Sequence, residues 1–495
     1  MNFHMPTDEE MHAAFAQGEA AVLAVFHAVA TQVAALAQQL AQQGAVLQEV
    51  QGRLAKSSHN SSTPPWSDGD GPVKRTASVR KVGAKPNSGQ PGHEGQTRLA
   101  VEHPERPVTY VVPICAHCHA SLQGIEAMGY AERQVCELPA MRIAVPAHRG
   151  EIKVCPACGK PSNGSFPATV TQAVQYGLTG QAWAAYVTND HHIPVERTTE
   201  IFADLVPHHL SDATVLKASE HLETCIAPST EAVQGLWRTA EVLPVEESGL
   251  RVRGKLHGLH VASPERLTAY EVQAQRGHEA MEAMGMLGPF RGTVVHDHWQ
   301  PYLTDDECAH ALCKAHHLRE LRCIDTQAHQ AWANDRAALL VESKAAVEAT
   351  PAPAMRLSPP ALLAFETRDD AIVQAGFEAT PAPVPTAEGA AKKRGRPQQA
   401  PPGNLRIRLR DVKGQVVACM ADCRVPFENN QGERDIRMVQ VKQKGSGGFR
   451  TLEGAQRFGR IRGDLSTARK HAKNVFEAIQ DALEGQPFIP SPDMQ

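Results

Sequence analysis

From Val22 onward, apolar residues fall at Val22, Phe26, Val29, Val33, Leu36 and Leu40, and after Gln43 at Leu47, Val50 and Leu54, in alternating steps of four and three. A 3.5-residue period is a heptad seam, and the Ala and Gln between these positions are good helix formers. The pattern predicts a coiled coil over residues 18–56, with Gln43 as a polar break that sets register. An amphipathic helix packed on its own protein does not need so long a strict period, so a homodimer or higher oligomer is expected. The helix stops at Lys56-Ser-Ser-His-Asn-Ser-Ser-Thr-Pro-Pro65, and residues 57–108, polar, basic and rich in Gly and Pro, read as a flexible linker. Residues 170–235 read as short helices with Ser or Thr caps, either a helix-turn-helix-like DNA module or a plain spacer.

The period changes near Thr239. Val242–Glu247, Leu250–Val261, Leu267–Val272 and Gly292–Asp297 read as successive short strands, with a helix-like segment from Gly277 to Gly288. His310–Glu320 follows as a helical run, residues 345–404 turn rich in Ala and Pro, and Leu465–Gln480 is a last helix. The prediction is a multidomain α/β chain whose core, residues 239–480, carries a helical and Pro-rich insertion at about 303–404.

Charge alters this picture locally. The 495 residues hold 50 Lys+Arg against 54 Asp+Glu, a formal charge of −4, so the total does not advertise a polyanionic partner. Yet residues 392–410 hold seven Lys/Arg and no acid, and residues 434–470 hold ten against three acids. With Lys74, Arg75, Arg80, Lys81, Lys85 and Arg98 in the linker, three basic stretches suit phosphate contacts. Lys392, Lys393, Arg394 and Arg396 form an extended motif of the kind that lies in a minor groove. No continuous run of 18 apolar residues and no secretory leader is present, so no membrane span is expected and the chain reads as cytoplasmic. Eleven cysteines in a chain this long are not a disulfide framework, and paired cysteines in a reducing compartment more often bind metal.

Two such pairs exist. Cys115-Ala-His-Cys118 and Cys155-Pro-Ala-Cys158 offer four thiolates for a tetrahedral Zn²⁺, so residues 109–165 read as a zinc-binding module; His117 and Cys136 could substitute but lack the paired spacing. Cys313 and His316, three apart, could ligate a second metal or be structural. Glu246 and Asp297 end two of the predicted strands, where α/β sheets build sites. Val425–Lys444 begins with Pro426 and Asn429-Asn430, which suit a helix N-terminus, and a helix from there carries Glu433 beside Arg434 and Arg437, with Lys442 and Lys444 further on. A carboxylate there can hold a divalent metal while the cations hold phosphate; an ordinary capped surface helix is the plainer reading.

With these residues collected, the chain resembles the insertion-sequence-66 family of bacterial DDE transposases along nearly its whole length. The motifs are Leu54-x-Lys-Ser-Ser-x-Asn-Ser-Ser-x-Pro-Pro65, Gly89-Gln-Pro-Gly-His-Glu-Gly95, the double cysteine knuckle, His296-Asp-His-Trp-x-Pro-Tyr302, His310-Ala-Leu-Cys-x-Ala-His-His-Leu-Arg-Glu320 and Asn429-Asn-Gln-Gly-Glu-Arg434, in the family's order. The resemblance implies an RNase H-like core, catalytic acids at Glu246, Asp297 and Glu433, and two Mg²⁺ (or Mn²⁺) ions held by them. It further implies terminal inverted repeats and target DNA as partners, and leaves open whether helper proteins of the same element take part. The sequence departs from the family at two places. Glu246 in Glu246-Glu247-Ser248-Gly249 stands where the family has aspartate, and Gly258 where it usually has tryptophan. The extra methylene moves a carboxylate by about 1 Å, and Mg²⁺ coordination is strict. A second reading is therefore a dimeric DNA-binding protein that grips DNA without cutting it, and a third a plain RNase H-like nuclease.

Overall fold

The structure is a computed structural model, and it describes residues 5–54, 100–274, 290–304, 307–379 and 401–492. Most of the expected linker, the segment from Gly277 to Gly288, and Lys392, Lys393, Arg394 and Arg396 lie outside the described residues. The chain divides into two compact units, one of residues 1–72, 167–200 and 210–495, the other of residues 73–166 and 201–209.

In the first unit, α1 (Asp8–Gln17) starts with a capping box between Thr7 and Glu10 and ends at Gly18, whose φ of 101° a side chain would resist. After it α2 (Glu19–Leu54) runs 36 residues without a break, so the whole heptad stretch lies on one helix. Leu23, Phe26, Val33, Leu36 and Leu40 on it are exposed. Glu19–Leu40 is, by length and composition alone, apolar enough to cross a membrane. A test for an unbroken run overlooks it, because His27, Thr31 and Gln32 interrupt the apolar residues.

The second unit holds both cysteine pairs and the short hairpin of β1 (Ile152–Val154) and β2 (Pro161–Asn163).

The remaining elements belong to the first unit, except that residues 201–205, the end of a helix, fall in the second. The expected helical stretch forms α3 (Leu178–Ala185), a π-turn at Tyr186–Asp190, α4 (Val195–Leu205), α5 (Asp212–Cys225) and α6 (Ala227–Arg238). A sheet follows, of β3 (Val242–Val252), β4 (Lys255–Ala262), β5 (Ala269–Gln273), β6 (Thr293–His296) and β7 (Ala309–Leu312), in the order β5-β4-β3-β6-β7. Three strands are antiparallel neighbours, and β6 and β7 join parallel to β3 and to each other. Arg253 and Gly254, both at positive φ, turn β3 into β4, the two-residue geometry that matches strand twist. Two strand expectations need correction. Glu246 does not close β3 but sits mid-strand opposite Val261, because the strand continues into that hairpin. Residues 310–312, expected as the start of a helix, belong to the edge strand paired with β6, so a core strand lies inside the stretch read as insertion.

After β7 come α7 (Lys314–Ala328), α8 (Ala331–Glu348), α9 (Pro359–Ala379), α10 (Pro401–Asp411) and α11 (Lys413–Ala421). Leu321, Trp332, Leu340, Val373, Leu405 and Leu409 give these helices a core of their own that reaches Leu312 of the edge strand. Arg336 and Asp369, both almost fully buried, pair across it at 2.6 Å. Then α12 (Asn430–Ser446) lays Ile436 and Val439 on Leu250, Val252 and Leu259 of the sheet. Its Asp435 is buried in hydrogen bonds from Ser263, Gln431 and Ser466, so the helix cannot slide. The expected last helix is two, α13 (Leu452–Lys470) and α14 (Val475–Leu483), parted at Ala472, which has a φ of 57°. Ile461, Leu465 and Ile479 from this pair share a core with Ala182 of α3 and Leu222 of α5.

Candidate active site

The centre of β3, the end of β6, the start of α7 and the start of α12 converge on one pocket of charge. Glu246 is 8% exposed. Burial, and then the neighbouring Asp297, push its carboxyl well above the usual carboxylate range, and Glu433 adds to this. Asp297 follows β6 directly and accepts the Trp299 N–H at 2.9 Å. Its carboxyl is raised by burial as well, against the pull of His316. Glu433 lies in the first turn of α12, where the helix dipole favours a negative charge. Arg319 of α7 donates from Nη2 to both of its oxygens, at 3.1 and 2.9 Å, and His316 Nε2 stands 3.6 Å away.

Asn429 ties these pieces together. The sequence marks it as a cap, and it does occupy the N-cap position of α12, but its side chain makes no capping bond. Instead Nδ2 donates to the carbonyl of Val245 at 2.8 Å and to Glu246 Oε2 at 3.1 Å, and its backbone N–H donates to Cys313 Sγ at 3.2 Å. One residue thus fastens the helix of Glu433 to the strand of Glu246 and to the turn before α7. Gly432 makes room for it: a Cβ there would meet Asn429 Oδ1 at 2.7 Å.

Cys313 and His316 face each other inside the same pocket. Burial works against a charge on His316, but the sulfur of Cys313, and then Glu246 and Glu433, outweigh it and lift the imidazole to about 10. Burial likewise resists a thiolate at Cys313, and His316 brings the thiol down. Ligand atoms of Cys313, His316 and Glu433 lie within 4.8 Å of one another.

Of the expected phosphate-binding cations, Arg434, Arg437 and Lys444 are exposed on α12, Arg434 also bonding Gln431 on the same turn. Lys442 is turned inward over the Phe449 and Phe458 rings, 5.3 Å from each centroid. Arg319 was visible only as a letter inside a motif and Asn429 only as a cap, because the partners that give them meaning are 114 and 183 residues away.

In the other unit the two cysteine pairs are built alike. The Cys115 carbonyl accepts the His119 N–H and the Cys155 carbonyl the Gly159 N–H, and both fifth residues take positive φ, 57° and 69°. Each turn aims backbone N–H groups at its first sulfur, those of Cys118 and His117 at Cys115, those of Cys158 and Ala157 at Cys155, and both thiols are lowered by them. That is the construction of a thiolate metal ligand. Among the described residues, the four thiols are not gathered as closely as the Cys313 group.

The profile of the transposase IS66 family matches residues 174–457, and a family of unknown function (DUF6444) matches residues 5–99. No curated protein matches the chain. The first match spans more than half of the sequence and takes in β3, β6, α7 and the start of α12 together, so the chain belongs to the IS66 family of transposases.

Proposed function

We propose that this transposase cuts DNA at the ends of its own insertion sequence and joins the freed 3′ ends to target DNA, using Glu246, Asp297 and Glu433 as metal-holding acids. The observation that carries this is the meeting of three carboxylates in one buried pocket, where two of them are pushed above their usual range. Like charges gathered out of water call for a cation, and an all-oxygen set suits Mg²⁺ or Mn²⁺. The strand order, with three antiparallel strands and two parallel ones and acids on the central strand and just after its parallel neighbour, supports an RNase H-like core. When bound, a pair of such ions supplies activation of the attacking oxygen and stabilisation of the leaving one in an in-line displacement.

The chain's own residues do the rest. Asp297 would be the acid shared by both ions, with Glu246 and Glu433 each holding one. Asn429 orients Glu246, and Arg319 balances Glu433 until an ion takes its place. Arg434, Arg437 and Lys444, with Lys442 behind them and Lys392, Lys393, Arg394 and Arg396 beyond, grip the DNA backbone. Cys115, Cys118, Cys155 and Cys158 bind Zn²⁺, and the apolar stripe of α2 pairs two or more copies, so that both ends of an element are held at once. The site of action is the cytoplasm, on the nucleoid.

A second reading rests on Glu246. If the longer side chain misplaces its carboxylate by about 1 Å, the rate falls on the order of a hundredfold, and the chain becomes a DNA-binding relative that occupies the ends without cutting. Metal-dependent cleavage of labelled terminal-repeat DNA separates the two. The enzyme reading expects cleavage by the unaltered protein that vanishes in Asp297→Ala; cleavage by Glu246→Asp alone establishes the second.

A further inference from the structure

In the reading above only Glu433 of the cluster Cys313, His316 and Glu433 holds metal, which leaves a buried thiol and imidazole beside it unexplained. Cys313 is the residue just before α7 and His316 lies in its first turn, so both side chains leave the same end of one helix. Glu433 enters from the first turn of α12, and ligand atoms from all three fall within 4.8 Å of one another. His316 is 9% exposed, and its Nδ1 has no hydrogen-bond partner. The Asn429 N–H on Cys313 Sγ is the bond that backbone amides give to metal-bound thiolates. Thiolate and imidazole are ligands of Zn²⁺ and Co²⁺ and poor ligands of Mg²⁺, which takes oxygen. Three protein ligands around one point also match an open zinc site, whose fourth position belongs to water.

We propose that Cys313, His316 and Glu433 form a site for a thiophilic divalent cation of the zinc type, separate from the knuckles and from the oxygen-only positions, with Glu433 shared between it and the catalytic acids. Arg319 yields its contact with Glu433 when such an ion enters. Sharing makes Zn²⁺ an antagonist of Mg²⁺: an ion fixed by Cys313 and His316 draws the Glu433 carboxylate away. This consequence, unlike the site itself, rests on the proposed role of Glu433.

The test uses the full chain carrying Cys115→Ser and Cys155→Ser, stripped of metal and titrated with Co²⁺. The expected result is a sulfur-to-cobalt charge-transfer band with the visible absorption of a four-coordinate ion. Cys313→Ser abolishes the band, and Glu433→Gln weakens Co²⁺ binding roughly tenfold or more with unchanged helical circular dichroism. Absence of the band, or its survival in Cys313→Ser, overturns the site. Should Cys313→Ser fail to fold, the isosteric Glu433→Gln decides, and undiminished affinity there overturns the three-ligand set. In a cleavage assay with Mg²⁺, Zn²⁺ inhibits the unaltered chain and not Cys313→Ser; Zn²⁺ that binds without inhibiting overturns the sharing and leaves the site standing.

Discussion

Asn429 shows how much of this site is carried by a residue with no charge. Replacing it with Ala leaves the Val245 carbonyl without a donor in a buried place, at a cost of about 1–3 kcal/mol, and frees Glu246 to rotate. Cleavage by Asn429→Ala is expected to drop roughly 10–100-fold, as when the support of a metal ligand is lost, and a kinetic assay across metal concentrations measures it. Glu246 makes a prediction about pH. Its carboxyl is raised above 4.5 by burial and then by Asp297, so the native chain keeps a proton that the unfolded chain has lost. The unfolded state then binds fewer protons, and stability falls as pH rises above about 4.5 toward the native value. Without divalent metal, Glu246→Gln should flatten that decline, and Mn²⁺ should raise its melting temperature less than that of the parent; thermal unfolding at a series of pH values checks both. At this scale the sequence displayed the acids, since Asp297 and Glu433 stand in recognisable surroundings. It could not display their partners, because an Asn before a helix looks like a cap whether its side chain turns to its own backbone or to a strand 183 residues away.

Among the elements, α12 depends on its glycine as much as on its acid. Alanine is the better helix former by about 1 kcal/mol, yet at position 432 its Cβ would crowd the Asn429 amide to 2.7 Å. Gly432→Ala is therefore expected to lose cleavage to the same degree as Asn429→Ala, and the double variant to be no worse than either, since both break one contact. A full additive loss in the double variant would show that the glycine serves something else. Leu250–Val261, expected as one strand, turns at Arg253-Gly254, so its first residues extend β3 and the rest form β4, but as a run the strands were legible. The edge strand β7 was not, because four residues that run straight into a helix carry no period of their own and become a strand only by pairing with β6. The break between α13 and α14 was hidden for a similar reason: Ala472 adopts the left-handed conformation without the glycine that usually announces it.

At the scale of the molecule, the exposed stripe of α2 carries a prediction about assembly. Phe26 and Leu40 are 69% and 68% exposed, and lysine at both places a charge in any seam between copies. Light scattering should find the parent chain as a dimer or larger and Phe26→Lys with Leu40→Lys at the monomer mass; an unchanged mass removes α2 as the oligomer contact. The clamp between β3 and α12 also has a meaning for the order in which the protein is made. A ribosome delivers α2 and the cysteine knuckles before the strand of Glu246, and the asparagine and glutamate of α12 after it. A nascent chain that stops before Asn429 therefore carries α2, the knuckles, Glu246 and Asp297, but lacks the residue that joins the strand of Glu246 to the helix of Glu433.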